Sequence, residues 1–288
     1  LVMNRNHLNI FMKVAEKMNI TEAAKELFIS QPAVSKAVKN LEKDLNVKLF
    51  IRDKLKGLML TEAGKEILIL ARQIKGIENK IYQVADRENN LLSGKIKVGS
   101  FPAASTNILP RAIASFRAKY PLVAIELLEG TSNQIKEWVE DRTADIGIVS
   151  SPFDPFEHEI LSNDHMVAII PRHHRLHQEK KIDLLAYPNE LIFCKGGHEI
   201  AIAKVFQKND IEFKENLTVQ NAETLVNMVK NNLGIGVISA FTLSSVSHQL
   251  LVKDIHPGVT RDIGIIAHSF EETTHAAKEF IKIMKSTI

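Results

Sequence analysis

The stretch from Ile20 to Gly64 constrains this chain most, because two short amphipathic segments meet there at a tight connection and the second carries its charges on one face. Stepping about 100° per residue from Val34, Val38, Leu41 and Leu45 fall in one narrow apolar stripe. Pro32, Lys36, Lys39 and Lys43 fall on the opposite side, flanked by Ser35 and Asn40. One face suits a small core, and the other offers cations and short polar groups outward. A helix that enters the major groove of DNA needs that division.

Local chemistry separates the two segments into helices. Thr21 is expected to cap the first, with Glu22 in the first turn where the dipole favours a negative charge. Ala23, Ala24, Leu27 and Phe28 are expected to supply its buried side. Ser30 caps the second, and Pro32 sits in the first turn, where its missing N–H is not needed. Upstream, Leu8, Phe11, Val14, Ala15 and Met18 read as a helix completing a three-helix core. Downstream, two short apolar runs bracket Arg52, Asp53, Lys54, Leu55, Lys56 and Gly57, the pattern of a basic β-wing hairpin. The plain alternative is a solvated helix beside a loop, and the whole assembly in this order weighs against it.

These residues resemble a known family. Phe11, Val14-Ala15, Thr21, Ala23-Ala24, Leu27, Ser30-Gln31-Pro32-Ala33-Val34-Ser35, Leu41-Glu42, Leu49-Phe50, Arg52 and Leu60-Thr61-Glu62-Ala63-Gly64 are similar to the N-terminal signature of LysR-type transcriptional regulators. The resemblance covers roughly residues 5–66. It implies that Gln31, Pro32, Ala33, Ser35 and Lys36 lie at the DNA and that Arg52 begins a wing meeting the phosphate backbone. Lys39, Lys54 and Lys56 join the expected DNA-binding set as exposed cations of the same face and wing. Position 36 is often Arg in that family, and Lys lacks the bidentate fork that reads guanine. The wing is also about one residue longer than the usual pattern.

Charge distribution agrees. The net charge is only +3, yet residues 1–60 hold eleven Lys/Arg against six Asp/Glu, a net of +5, which leaves −2 for the other 228 residues. A basic head on a nearly neutral body favours nucleic acid as the head's partner. With 288 residues and 45% hydrophobic content the chain can bury more than one core. Cys194 is the single cysteine, so neither an internal disulfide nor a cysteine-rich zinc site is expected, and no cofactor is implied. No apolar run approaches a membrane span. The opening residues, with Asn4, Arg5 and His7, lack the apolar core of a secretory signal, and a cytoplasmic location is expected.

After the wing the period changes. Ile67, Leu70, Ile74, Ile77, Ile81 and Val84 follow a 3-4-3-4-3 spacing, a heptad seam over nearly three repeats. Thr61 is a fitting N-cap, and Glu88 before Asn89-Asn90 ends the pattern. At about 1.5 Å per residue this makes a helix of roughly 42 Å. The seam either packs on its own domain or pairs with a second helix, and its narrowness favours the partner. The resemblance implies a linker helix that pairs two subunits, hence a homodimer or homotetramer with two reading heads on paired half-sites.

From residue 93 onward strands and helices alternate. Strand-like runs at Lys95–Ser100, Val123–Leu128 and Asp145–Val149 are separated by helices at Leu109–Lys119 and Ser132–Arg142. A second set follows, with strands at Met166–Ile170, Leu217–Val219 and Gly236–Ile238 and helices near Glu199–Gln207 and Glu223–Asn231. Ile263–Ala267 and the helix Thr274–Met284 are expected to return to the first sheet. The spacing implies parallel sheets with helical crossovers. The expected organisation is an all-α winged helix-turn-helix at 1–60, a linker helix at 61–92 and an α/β effector-binding domain at 93–288. That domain is expected to split into subdomain I (93–162 and 266–288) and subdomain II (163–265), joined by crossings near 162 and 265. The resemblance implies a likeness to periplasmic binding proteins.

Open α/β sheets bind ligands beyond the carboxyl ends of their strands. Those positions are Ser100, Phe101 and Pro102 after the first strand, Thr131 and Ser132 after the second, and Ser150 after the third. From the other subdomain, Lys195 and Ala222 are expected to face them. Hydroxyls and helix N-termini there suit a small anionic metabolite, such as a carboxylate. For each Ser or Thr the competing role is an ordinary helix cap, and for Lys195 it is solvent exposure. Gly234-Ile235-Gly236 follows a helix and precedes a strand, the reverse of a dinucleotide loop. His165, His173, His174 and His177 lack metalloprotease spacing, and Pro171 argues for a turn there. No nucleophile elbow or Walker loop is present, so an enzyme reading lacks a chemical foothold. The favoured function is a ligand-responsive transcription regulator whose partners are double-stranded promoter DNA, a small-molecule effector and RNA polymerase. The alternative is a solute-binding or enzymatic α/β module with an N-terminal protein-interaction domain.

Overall fold

The computed structural model describes residues 3–53, 55, 57–88, 92–194, 198–211 and 217–288. The chain divides into two compact units, one holding Leu1–Asn90 and the other most of residues 91–288.

The first unit opens with α1 (Arg5–Lys17), capped by the Asn4 side chain, which accepts from the Asn6 and His7 backbone N–H groups. Next come α2 (Ile20–Glu26) and α3 (Gln31–Leu45). Ser30 caps α3 as expected, accepting from the Ala33 N–H at 3.4 Å. For α2 the cap is Asn19, not Thr21: the Asn19 carboxamide accepts from the Thr21 and Glu22 N–H groups at 2.9 and 3.2 Å. Thr21 already lies inside the first turn, so its own N–H is one of those needing a partner. Phe11, Val14, Ala23, Val34 and Leu41 are fully buried where the three helices meet, each of the larger ones contributing roughly 1.5–3 kcal/mol. Two expected core residues are outside it. Met18 and Phe28 are exposed, at φ 47 and φ 54, because each stands at a helix end where the left-handed turn swings the side chain outward.

Strands β1 (Phe50–Asp53) and β2 (Gly57–Leu60) pair antiparallel, Phe50 opposite Leu60 and Asp53 opposite Gly57, forming the wing. The 27-residue helix α4 (Glu62–Glu88) follows. Thr61 joins wing to helix. Its hydroxyl donates to the Lys48 carbonyl at 2.6 Å and accepts from the Gly64 N–H at 2.9 Å. Gly64 has no substitute here, since a Cβ would lie 2.2 Å from the Leu49 carbonyl oxygen.

The second unit alternates strands and helices. Its first part contains β3 (Gly94–Ser100), α5 (Pro102–Asn107), α6 (Leu109–Lys119), β4 (Val123–Glu129), α7 (Ser132–Glu140) and β5 (Ile146–Ser150). Then come β6 (Glu157–Ile170), β7 (Lys181–Asp183), β8 (Leu191–Cys194), α8 (His198–Lys208), β9 (Leu217–Val219) and α9 (Ala222–Lys230). The chain closes with β10 (Ile235–Ser239), α10 (Ala240–Leu243), β11 (Leu251–His256), β12 (Thr260–Ala267) and α11 (His275–Thr287).

Sheet order is β4-β3-β5-β12-β6-β10-β8-β9, with β11 on β6 and β7 on β11. The two lobes share β6. Its residues Glu157 to His165 pair antiparallel with β12, and its residues Met166 to Ile170 pair antiparallel with β10 and β11. The crossings therefore fall between His165 and Met166 and between His256 and Thr260, not near 162 and 265. The polar run Asn163-Asp164-His165 hides a strand that continues through it, and Thr260-Arg261-Asp262 hides the start of β12. The sheets are mixed: β3, β4 and β5 run parallel, as do β8, β9 and β10, while β12 and β6 return antiparallel. Both faces of the central strands are covered, so β5 and β10 are buried at every residue. In the first lobe Phe116, Ile146, Ile148 and Phe280 pack on one face, and Ile135, Val139 and Ile266 on the other. In the second lobe Phe193, Ile202 and Phe206 occupy one side, Leu225 and Val229 the other.

Candidate nucleic-acid interface and ligand cleft

The outward face of α3 is as the wheel requires. Val34, Ala37, Val38 and Leu41 are buried, and Gln31, Pro32, Ala33, Lys36 and Lys39 are exposed, with Ser35 half-buried beside them. The structure adds a distinction that charge counting misses. The lysines of α1 and α2 are tied to carboxylates: Lys13 to Glu16 at 2.8 Å, Lys17 to Glu26 at 2.7 Å and Lys25 to Glu22 at 2.8 Å. Among the described residues, Lys36, Lys39 and Lys43 on α3 have no such partner. Their charge is left for an external anion. Arg52 is exposed on β1 opposite Leu58. Lys54 and Lys56 lie outside the described residues.

Glu42 fixes α3 to the wing. Its side chain is only 10% exposed, yet it accepts from the Leu49 N–H at 2.9 Å, from the Phe50 N–H at 3.4 Å and from the Lys48 ammonium at 3.0 Å. Burial pushes its carboxyl up, but these donors outweigh that and hold it below the ordinary glutamate value. The orientation of α3 against the wing is thus held by the buried Glu42 carboxylate.

Helix α4 divides its apolar residues. Leu68 and Ala71 are buried against the head, with Ile67 packed beside them. Leu70, Ile74, Ile77, Ile81 and Val84 are exposed, from 38% to 63%, along the remaining seam. Arg5 pairs with Glu78, holding α4 to α1. Tyr82, absent from the expected seam, is also exposed.

In the α/β unit most of the anticipated strand-end residues are engaged locally. Ser100 is fully buried and its hydroxyl donates to the Phe101 carbonyl at 3.2 Å, so it forms wall, not surface. Thr131 exchanges hydrogen bonds with Gln134 (Thr131 N–H to Gln134 Oε1 at 2.9 Å, Gln134 N–H to Thr131 Oγ1 at 3.3 Å), the capping role that competed in the sequence reading. Ser132 and Ser150 bring their hydroxyls to 3.2 Å. Ala222 is buried in the second lobe's core. Pro102 is exposed at the start of α5, and Phe101 is half-buried between the two clusters of the first lobe. Lys195 lies outside the described residues.

Sequence reasoning missed the residues that connect the lobes. Asp164 on β6 is buried and accepts from Arg261 Nε at 2.9 Å and from the Phe241 N–H at 3.0 Å. Asn107 on α5 donates to the Phe241 carbonyl at 2.8 Å and to the Ser244 hydroxyl at 2.9 Å. The rings of Phe101 and Phe241 meet edge to face at 6.0 Å. Extending the strand-end rule to β10 would have reached Phe241, two residues beyond Ser239; nothing in the sequence singles out Asp164. An open groove of about 460 Å³ lies elsewhere on the first lobe, lined by Phe270, Ile281, Lys282 and their neighbours, and includes none of the strand-end residues. The histidine segment forms turns, and the Leu176 N–H donates to His174 Nδ1 at 3.2 Å. Among the described residues no helix is long and apolar enough to cross a membrane.

Comparison with known proteins covers both units. Residues 5–65 match the model of the bacterial regulatory helix-turn-helix protein, lysR family, and residues 89–288 match the LysR substrate binding domain. Over 289 residues the chain is 70% identical to the uncharacterized HTH-type transcriptional regulator YoaU of Bacillus subtilis (strain 168), covering 100% of both. Among solved structures, a full-length OxyR variant from Pseudomonas aeruginosa superposes with a TM-score of 0.75 at 22% identity, covering 100% of this chain and 98% of that one. Full-length CbnR in complex with its target DNA follows at a TM-score of 0.65 and 21% identity, covering 99% and 100%.

Proposed function

The chain belongs to the LysR family of bacterial helix-turn-helix regulators, and on that premise we propose that it acts in the cytoplasm as a homo-oligomer whose α3 reads promoter DNA under control of a small anionic effector bound between the two lobes. The observation carrying this reading is the set of unpartnered cations on α3. The described lysines of α1 and α2 are paired with carboxylates, whereas Lys36, Lys39 and Lys43 lie unpaired among the described residues on the side of α3 opposite Val34. Phosphates supply the missing counter-charge and release condensed cations as they do so. Gln31 and Ser35 are the side chains with reach and polarity to meet base edges.

The exposed seam of α4 supplies the second copy. Two such stripes in register bury roughly the residues of a coiled-coil interface, and two heads then address paired half-sites. The effector cleft is supported by the shared strand β6, since a ligand shifts an equilibrium only through contacts that differ between two arrangements. Ser132, Ser150 and the α7 N-terminus favour an anion there. RNA polymerase is the further partner such a regulator addresses.

Recovery of DNA bound by the full-length protein across the genome, followed by gel shift of the recovered fragments, tests the reading. Specific fragments that compete above bulk DNA are expected. Binding no tighter than to bulk DNA sinks it in favour of the protein-interaction alternative.

A further inference from the structure

Phe28 is an aromatic residue of the head that the fold leaves almost wholly in solvent. Its side chain is 94% exposed, and its backbone sits at φ 54, a left-handed conformation that is costly for a bulky residue. It stands just past α2, whose C-cap is Leu27. Its N–H donates to the Lys25 carbonyl at 3.2 Å, and the next N–H, of Ile29, donates to the Ala24 carbonyl at 3.1 Å. Those bonds need only backbone. Glycine or asparagine would make the same turn with less strain. A phenyl ring at this position buries almost none of its area in the head and has no ring partner among the described residues. A strained, solvent-facing ring of this kind is the sort of outlier that points to a role outside the fold.

The neighbouring chain says what that is. Two residues after Phe28, Ser30 caps α3, and Gln31, Pro32 and Ala33 open the exposed reading face. Three residues of chain reach at most about 11 Å. The major groove is about 12 Å wide. With the start of α3 in the groove, Phe28 is therefore within about one groove width of the bases that Gln31 would address. We propose that Phe28 is an apolar DNA contact, its ring laid on deoxyribose edges and thymine methyl groups beside the bases that Gln31 addresses. The inference rests on the reading of α3 as the DNA-binding helix. Such a contact releases no counterions, which separates it in kind from the lysines and Arg52.

The test uses the full-length chain and a DNA fragment recovered with it from the genome. Dissociation constants are measured at several salt concentrations for the parent, Phe28→Asn, Phe28→Tyr and Arg52→Ala. Phe28→Asn should bind about tenfold more weakly, in line with loss of one aromatic contact to nucleic acid, with the parental salt slope. It should melt no lower than the parent, because asparagine suits φ 54. Phe28→Tyr keeps the ring and should keep the affinity. Parental affinity in Phe28→Asn overturns the contact, and so does weaker binding that comes with a lower melting temperature, since the ring would then support the fold. Unchanged DNA affinity with lost reporter transcription also overturns it and assigns the ring to a protein partner. A parent that prefers no recovered fragment removes the reading of α3 and the contact with it. Weakened binding by Arg52→Ala with a shallower salt slope shows that the head docks on DNA through its wing, so that Phe28 is judged separately.

Discussion

Asn107 and Phe241 belong to different lobes of the α/β unit, and the Asn107 carboxamide donates to the Phe241 carbonyl at 2.8 Å. The same residue is held through its N–H by Asp164 on the shared strand and through its ring by Phe101. Helix α10 therefore bridges the lobes beside the strand ends where an effector is proposed to bind. Asp164 is itself held by Arg261 on β12, the strand that returns to the first lobe.

Removing that bridge should loosen one lobe from the other without unfolding either. Phe241→Ala loses a half-buried ring and its edge-to-face partner, on the order of 1–3 kcal/mol. Hydrogen exchange should speed up in α5 and α10 while the strands of both sheets stay protected. Uniform protection across the variant would mean that the bridge does not couple the lobes. Asp164→Ala should cost more, because it removes one buried acceptor that serves both Arg261 Nε and the Phe241 N–H.

Glu42 makes the head sensitive to acid. Its folded carboxyl titrates below the ordinary glutamate value, so the stability it contributes is present above the unfolded value of 4.5 and is lost as pH falls through the folded one. Glu42→Gln should flatten that acid limb in thermal melts of the head and lower stability at neutral pH by about 1–3 kcal/mol. Parallel acid limbs in parent and variant would contradict the assignment.

The two kinds of DNA contact should separate in titrations with salt. Arg52→Ala is expected to weaken all DNA about equally and to reduce the salt slope by about one. Gln31→Ala should instead relax sequence preference, at a cost of about 1–3 kcal/mol at one base pair if its contact is bidentate. An Arg52→Ala protein with parental affinity and slope would remove the wing from the interface.

Ile74 is exposed in the middle of the α4 seam. Ile74→Asp places a carboxylate where a partner helix would bury it, so the variant should sediment as a monomer and lose operator binding, though residue 74 lies outside the proposed DNA-binding set. An intact, folded dimer would show that the seam is not the interface.

Gly64 limits what the joint between wing and α4 tolerates. With the Leu49 carbonyl oxygen 2.2 Å from a Cβ at this position, Gly64→Ala has to displace the backbone just before the wing's first strand. A loss of about 1–3 kcal/mol should appear in melts of the head, together with weaker DNA binding because the wing moves. A parental melting temperature would mean that the joint yields freely.

Much of this molecule is written in periodicity. The heptad spacing from Ile67 to Val84 and the stripe from Val34 to Leu45 depend only on which face a residue occupies in a helix, and residues close in sequence decide that. The strands at 94–100, 123–129 and 146–150 and the helices between them are short-range patterns of the same kind. Periodicity revealed only the Met166–Ile170 half of β6, because Asn163, Asp164 and His165 interrupt the apolar run where the strand changes sheets.

Local sequence thus determined the element types and the cationic face of α3, since each follows from residues within a turn or two of one another, and composition alone gave the head-to-body charge gradient. Tertiary structure decided the rest. It turned Phe28 out of the core, replaced Thr21 by Asn19 as the cap, spent the hydroxyls of Ser100 and Thr131 on neighbouring groups, and left Lys36 and Lys39 unpaired while their counterparts on α1 and α2 found carboxylates. Asp164, Arg261, Phe241 and Asn107 are spread over more than 150 positions of the chain and meet only when two sheets share a strand. A hydrogen bond depends on distances of about 3 Å, and no periodic pattern along the chain specifies which distant donor arrives within them.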